Sequence, residues 1–148
     1  MRFLLCISAA ALACLTGCSD EPEKPEAATV LPDAPTAEAL TQGQALYVKA
    51  CLQCHQYDGS GVPAMQPALI DNPAVAGEPE HLIEVVLRGM GGTDSALPPS
   101  GEYAMTMPAS DSMTDTEIAN LLTYIRQAYA DEGPIKPEQV AAVRSKLE

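Results

Sequence analysis

Cys51-Leu52-Gln53-Cys54-His55 is the stretch of this 148-residue chain on which its fold turns. Three positions apart on a helical turn, the two thiols lie on one face, with the imidazole of the next residue beside them. A structural disulfide between Cys51 and Cys54 would close only a small loop, and a thioredoxin-like Cys-x-x-Cys needs a strand–helix–strand surround that the flanking pattern lacks. A zinc site needs further ligands. The chain's other histidine is His81, and its three remaining cysteines, Cys6, Cys14 and Cys18, all lie near the N-terminus.

Two cysteines separated by two residues, with histidine directly after, form the arrangement of covalent haem attachment. The thiols add to the two vinyl groups as thioethers, and His55 supplies Nε2 to the iron as the proximal ligand. Around that motif, Gly43-Gln44-Ala45-Leu46-Tyr47 precedes it and Asp58-Gly59-Ser60-Gly61 follows it. From Gly43 to about Tyr129 the chain resembles a class I monohaem cytochrome c domain. The resemblance implies an all-α fold, the class I cytochrome c fold, with N- and C-terminal helices crossing over one covalently bound haem c. In that family the glycine matching Gly43 lets the two helices approach closely, and the aromatic matching Tyr47 packs at the crossing. Gly59 and Gly61 fit a tight turn that needs positive φ or leaves no room for a side chain against haem. The segment Pro63-Ala64-Met65-Gln66-Pro67-Ala68-Leu69 is similar to the family's Pro-x-Leu loop. By that likeness the Pro67 carbonyl accepts the Nδ1 hydrogen of His55, which fixes the imidazole tautomer, and Leu69 lies against the haem face.

For the sixth ligand, Met65, Met90, Met105, Met107 and Met113 are available beyond the N-terminal segment, and a buried methionine is more often gap-filler than ligand. In an extended stretch Met105 and Met107 point the same way, so alternation leaves both open. Met107-Pro108-Ala109 matches the family's Met-Pro-small pattern, and Pro108 holds Met107 in an extended conformation suited to presenting a side chain from a loop. Met107 is therefore the expected ligand and Met105 the alternative. A thioether opposite imidazole favours the ferrous state and leaves no open position at the iron.

Helical signals flank these loops. Pro79 and Glu80 suit the start of a helix running to about Leu87, with Leu82, Val85 and Val86 as its apolar stripe and Arg88-Gly89 closing it. His81 on that helix reads as a surface or cap residue. Thr114-Asp115-Thr116-Glu117 is a capping box ahead of a helix whose Ile118, Leu121, Leu122 and Ile125 form a buried stripe, with Asn120, Thr123 and Arg126 outward. This helix, EIANLLTYIRQAY, is close in detail to the cytochrome domains that accompany periplasmic dehydrogenases. After Gly133-Pro134 a short helix is expected from Pro137 to Leu147, outside the core domain.

Residues 1–17 read as a signal peptide: a basic start, then an apolar run from Phe3 to Leu15 that is short for a membrane span. Leu15-Thr16-Gly17-Cys18 resembles the lipobox of bacterial lipoproteins, which makes Cys18 the lipidation site, and Ser19 resembles the residue found in lipoproteins sent to the outer membrane. Ordinary cleavage after Ala11-Leu12-Ala13 is the rival. Residues 18–40 then form a linker rich in Pro, Glu and Ala that cannot bury enough surface to order itself. The cytochrome domain is expected over 41–131 and the C-terminal extension over 132–148.

Composition bounds the function. The hydrophobic fraction is 47% but the aromatic fraction only 4%, with no Trp and a single Phe, so a cofactor is expected to complete the core. The net charge of −12 excludes nucleic acid as a partner and points to redox proteins with a basic docking surface. The reading is a single-electron carrier on the periplasmic side of a Gram-negative envelope, lipid-anchored to a membrane, and not itself an enzyme. A haem-bearing subunit of a dehydrogenase or reductase complex is the main alternative; a haem-based sensor is the other.

Overall fold

The computed structural model of the chain describes residues 34–91 and 103–148. The expected signal peptide, Cys18, the linker as far as residue 33, and Gly101-Glu102 ahead of the Met107 loop lie outside the described residues.

Among the described residues six helices follow in order: α1 (Ala37–Ala50), α2 (Leu52–His55), α3 (Pro73–Ala76), α4 (Pro79–Arg88), α5 (Asp115–Tyr129) and α6 (Pro137–Leu147). Among the described residues there are no strands, only two isolated bridges, Val62 with Gln66 and Met90 with Met107. The first helix starts at Ala37, where the Thr36 hydroxyl accepts the Ala39 amide and caps it. Glu38 in its first turn and Lys49 in its last each complement the helix dipole.

Helices α1 and α5 pack extensively against each other, and Gly43 is a point of close approach between them. A Cβ at Gly43 would overlap the Asn120 carbonyl oxygen and come within 2.7 Å of Tyr124 Cβ. A mid-helix glycine costs about 1 kcal/mol relative to alanine, a cost the crossing requires. Beside it Tyr47 is buried, its ring centroid 5.5 Å from that of Tyr124 and 5.7 Å from that of Tyr129. The rest of the core is aliphatic: Leu82, Ile83, Val86 and Leu87 from α4, and Ile118, Leu121, Leu122 and Ile125 from α5.

Two expectations about helix faces are corrected. On α5, Thr123 and Arg126 are buried and not outward. The C-terminal segment turns back over that face: Thr123 Oγ1 accepts the Ile135 amide at 3.0 Å, and Arg126 Nε donates to the Gly133 carbonyl at 3.2 Å. Arg126 Nη1 also donates to the Val75 and Gly77 carbonyls, both at 2.8 Å, so one buried guanidinium ties α5 to the turn ahead of α4. On α4 the buried set gains Ile83 and Leu87 while Val85 is half-buried, since α6 widens the covered face. The extension is not outside the core, for Ile135, Val140 and Val143 are buried in the same apolar cluster.

Candidate functional site

The site is built where α1 runs into α2. Cys51 is the residue between them, and the Cys54 and His55 amides both donate back to its carbonyl, at 3.1 and 2.9 Å, which winds the motif into one turn. Both thiols are free and half-buried. Burial pushes the Cys51 thiol up to about 11, with the nearby Cys54 adding to the shift, so Cys51 is a neutral thiol at pH 7.

His55 is buried, and its Nδ1 donates to the Pro67 carbonyl oxygen at 3.0 Å. A carbonyl can only accept, so the hydrogen sits on Nδ1 and Nε2 keeps its lone pair. Burial lowers the imidazole pKa below its ordinary value, against a smaller opposing effect of the Pro67 bond. The ring is thus neutral at pH 7, with a free ligating nitrogen.

Backbone geometry after His55 is unusual and heavily tied. Gln56 has φ 63° and ψ 167°, a conformation that favours glycine. The Tyr47 hydroxyl donates to its carbonyl at 2.5 Å, and the Tyr129 hydroxyl to the next carbonyl, that of Tyr57, at 3.0 Å. The Gly61 amide donates to the His55 carbonyl at 3.1 Å. Gly61, at φ 63°, is where the loop comes closest to the Pro-x-Leu segment; a Cβ there would stand 2.5 Å from the Pro67 carbonyl oxygen. Leu69 is buried and its amide bonds the Gly59 carbonyl at 2.7 Å, which closes the loop over the histidine.

Met107 stands on a separate loop. It exchanges both backbone hydrogen bonds with Met90, at 2.9 and 2.8 Å, and its side chain is half-buried against the core. Gly89, with φ 68°, seats this turn: a Cβ there would lie 2.8 Å from Pro108 C and from Ala109 N. Met105 is 50% exposed, and its amide pairs with the Met65 carbonyl at 3.2 Å, joining the methionine loop to the Pro-x-Leu loop. His81 is exposed on α4.

The donor set fits a haem: two free thiols on one turn, a neutral imidazole with its tautomer fixed, and a thioether packed against the core from another loop. Among the described residues no group of three or more His, Cys, Asp or Glu is placed to hold a metal ion alone. Sequence reasoning passed over Gln66, whose Oε1 is buried without a hydrogen-bond partner one residue before Pro67. It also passed over Tyr129 as a hydrogen-bond donor, because no local spacing links it to a carbonyl 72 positions away.

The sequence profile of the cytochrome c family matches residues 40–128. The chain belongs to the cytochrome c family. It is similar to the alcohol dehydrogenase (quinone) cytochrome c subunit of Gluconacetobacter polyoxogenes, with 36% identity over 114 residues, covering 74% of this chain and 23% of that one. The gluconate 2-dehydrogenase cytochrome c subunit of Pantoea cypripedii is 33% identical over 109 residues, 69% of this chain and 24% of the relative. Cytochrome c-552 of Thermus thermophilus is 31% identical over 134 positions, 75% of this chain and 88% of that protein. The chain thus spans about a quarter of the length of the dehydrogenase subunits it matches. As a cytochrome c, it is an electron-carrying protein with a covalently bound c-type haem and an all-α fold.

Proposed function

We propose that this cytochrome c is a lipid-anchored, periplasmic carrier of single electrons, with Cys51 and Cys54 holding the haem and His55 and Met107 as axial ligands. The observation that carries the site assignment is the 3.0 Å bond from His55 Nδ1 to Pro67, which leaves Nε2 free on an imidazole directly after two free thiols. The haem supplies a one-electron iron couple. The chain supplies the rest: His55 donates through Nε2, Pro67 keeps the ring from turning, Leu69 excludes water, and Met107 presents its sulfur from the Pro108 turn. Half-exposed Met105 is the poorer candidate, since a ligand has to point inward.

With His55 and Met107 both holding the iron, no position would be left on it for a substrate, which favours a carrier over an enzyme or a gas sensor. Replacing Met107 with Ala is expected to abolish the weak far-red absorption band of ferric iron bound to a thioether. Persistence of that band in the variant would move the ligand to another methionine.

The leader sequence and Cys18 support export and acylation; mass spectrometry of the mature chain is expected to find a lipid-modified N-terminal Cys18. Among the described residues no helix is long and apolar enough to cross a membrane. The acidic net charge supports partners with a basic docking surface, and residues 59–70 and 103–110 beside the site carry no charged side chain. Steering charge therefore acts from around the contact and not within it, and electron-transfer rates are expected to fall with added salt. Service as a haem subunit of a dehydrogenase complex is the second reading, favoured by the relatives' names; co-purification with a dehydrogenase is its test.

A further inference from the structure

The family match ends at residue 128, yet the chain continues into a helix whose side chains reach back across the molecule. Arg144, in the last turn of α6, places its guanidinium on the connection between Met107 and α5. Its Nη1 donates to the Asp111 carbonyl at 2.8 Å, its Nη2 to the Met113 carbonyl at 2.7 Å, and its Nε to Asp115 Oδ1 at 2.8 Å. Three groups along five residues are thereby gathered on one rigid planar fork, which lysine, as a point charge, cannot reproduce.

Backbone hydrogen bonds also hold this connection. The Ser110 amide bonds the Val86 carbonyl at 3.0 Å, and the Met113 amide bonds the Ser110 carbonyl at 3.1 Å. Pro108, Ala109, Asp111 and Ser112 are all exposed. Behind Arg144 the helix is firmly seated, with Val140 and Val143 buried against the core. The pairing of Lys146 with Glu80 at 3.4 Å is solvent-exposed on both sides and adds little.

We propose that α6 is a strap on the methionine loop, with Arg144 as the positioning residue that keeps Met107 at the iron. This rests on the reading of Met107 as the sixth ligand. A thioether is a weak ligand, and the chain behind Met107 runs through exposed Pro108, Ala109, Asp111 and Ser112, so its time on the iron is set by how often that stretch opens locally. Arg144 raises the cost of that opening, because release of the loop leaves two carbonyls and a carboxylate without their charged donor.

Carbon monoxide binding to the reduced full-length holoprotein reads the opening directly, since the gas can bind only when the sulfur leaves. Met107→Ala sets the ceiling for rapid binding. Arg144→Ala is expected to bind carbon monoxide about tenfold faster than native, with Arg144→Lys and Asp115→Asn in between. Circular dichroism on each variant confines the comparison to folded protein, and Asp115→Asn, which keeps the guanidinium and both carbonyl bonds, carries the test if Arg144→Ala does not fold. If Met107→Ala binds no faster than native, the ligand reading fails and the strap with it. If Met107→Ala is fast while both Arg144→Ala and Asp115→Asn match native, the ligand reading stands and the strap is overturned.

Discussion

The Tyr47 hydroxyl donates to the Gln56 carbonyl at 2.5 Å, which joins the α1–α5 crossing to the residue directly after His55. Burial above all, helped by the neighbouring Tyr129, raises the Tyr47 pKa far beyond the ordinary tyrosine value, so this donor stays protonated at any working pH. Tyr47→Phe keeps the ring contacts with Tyr124 and Tyr129 but removes the donor from a strained turn. Holoprotein stability in denaturant is expected to fall by about 1–2 kcal/mol, the cost of leaving a partly buried acceptor unpaired. An unchanged midpoint would show that water replaces the hydroxyl without loss.

Gly43 gives a prediction of sign. In an exposed helix, Gly→Ala stabilises by about 1 kcal/mol through propensity. Here the added methyl group would meet the Asn120 backbone and Tyr124 Cβ, and neither is the end of a flexible side chain. Gly43→Ala is therefore expected to destabilise the holoprotein by about 1–3 kcal/mol, as overpacking does. Thermal melting decides between the two signs.

The capping box of α5 gives a dependence on pH. Glu117 accepts from the Thr114 amide and hydroxyl, both at 2.8 Å, and these bonds hold its carboxyl below its ordinary value. A group whose folded pKa is depressed contributes stability above its unfolded pKa and loses it as pH falls through the folded one. Glu117→Gln keeps a capping side chain at the third helical position but removes the titration. Stability of the variant relative to native is expected to be lower near neutral pH, with the gap closing as pH drops below about 4.3. A constant gap across that window would assign the effect to packing.

Much of this fold was legible because it is written in local signals. The Thr114–Glu117 box, Pro79 at a helix start and Gly89 at its end each report a terminus from a few adjacent residues, and α4 and α5 lie where those signals put them. The Cys-x-x-Cys-His turn is equally local. The joining of His55 to Pro67 is twelve residues apart, and only the likeness to a family pointed to it. What misled was cover supplied from far along the chain. The period of α5 puts Thr123 and Arg126 on its polar side, and nothing within that helix shows that Gly133 and Ile135 will fold over them. Arg144 was invisible for the same reason, because its three acceptors lie about thirty residues upstream.

Removal of the haem tests whether the core is complete without it. The buried apolar cluster is aliphatic apart from Tyr47, and Tyr47, Tyr124 and Tyr129 pack together at the helix crossing. The candidate site itself consists of the two thiols, buried His55 and half-buried Met107. Haem there would cover His55 Nε2 and supply the broad apolar surface that the chain's few aromatic residues do not. A Cys51→Ala, Cys54→Ala variant, unable to hold haem covalently, is accordingly expected to lack a cooperative unfolding transition and to show little of the helical signal of the holoprotein. The loss is expected to spread from the loops carrying Pro67 and Met107 into the α1–α5 crossing through the Tyr47 and Tyr129 hydroxyl bonds. A sharp denaturant transition in the haem-free variant, with a slope proper to a domain of this size, would place the stability in the helix crossing alone.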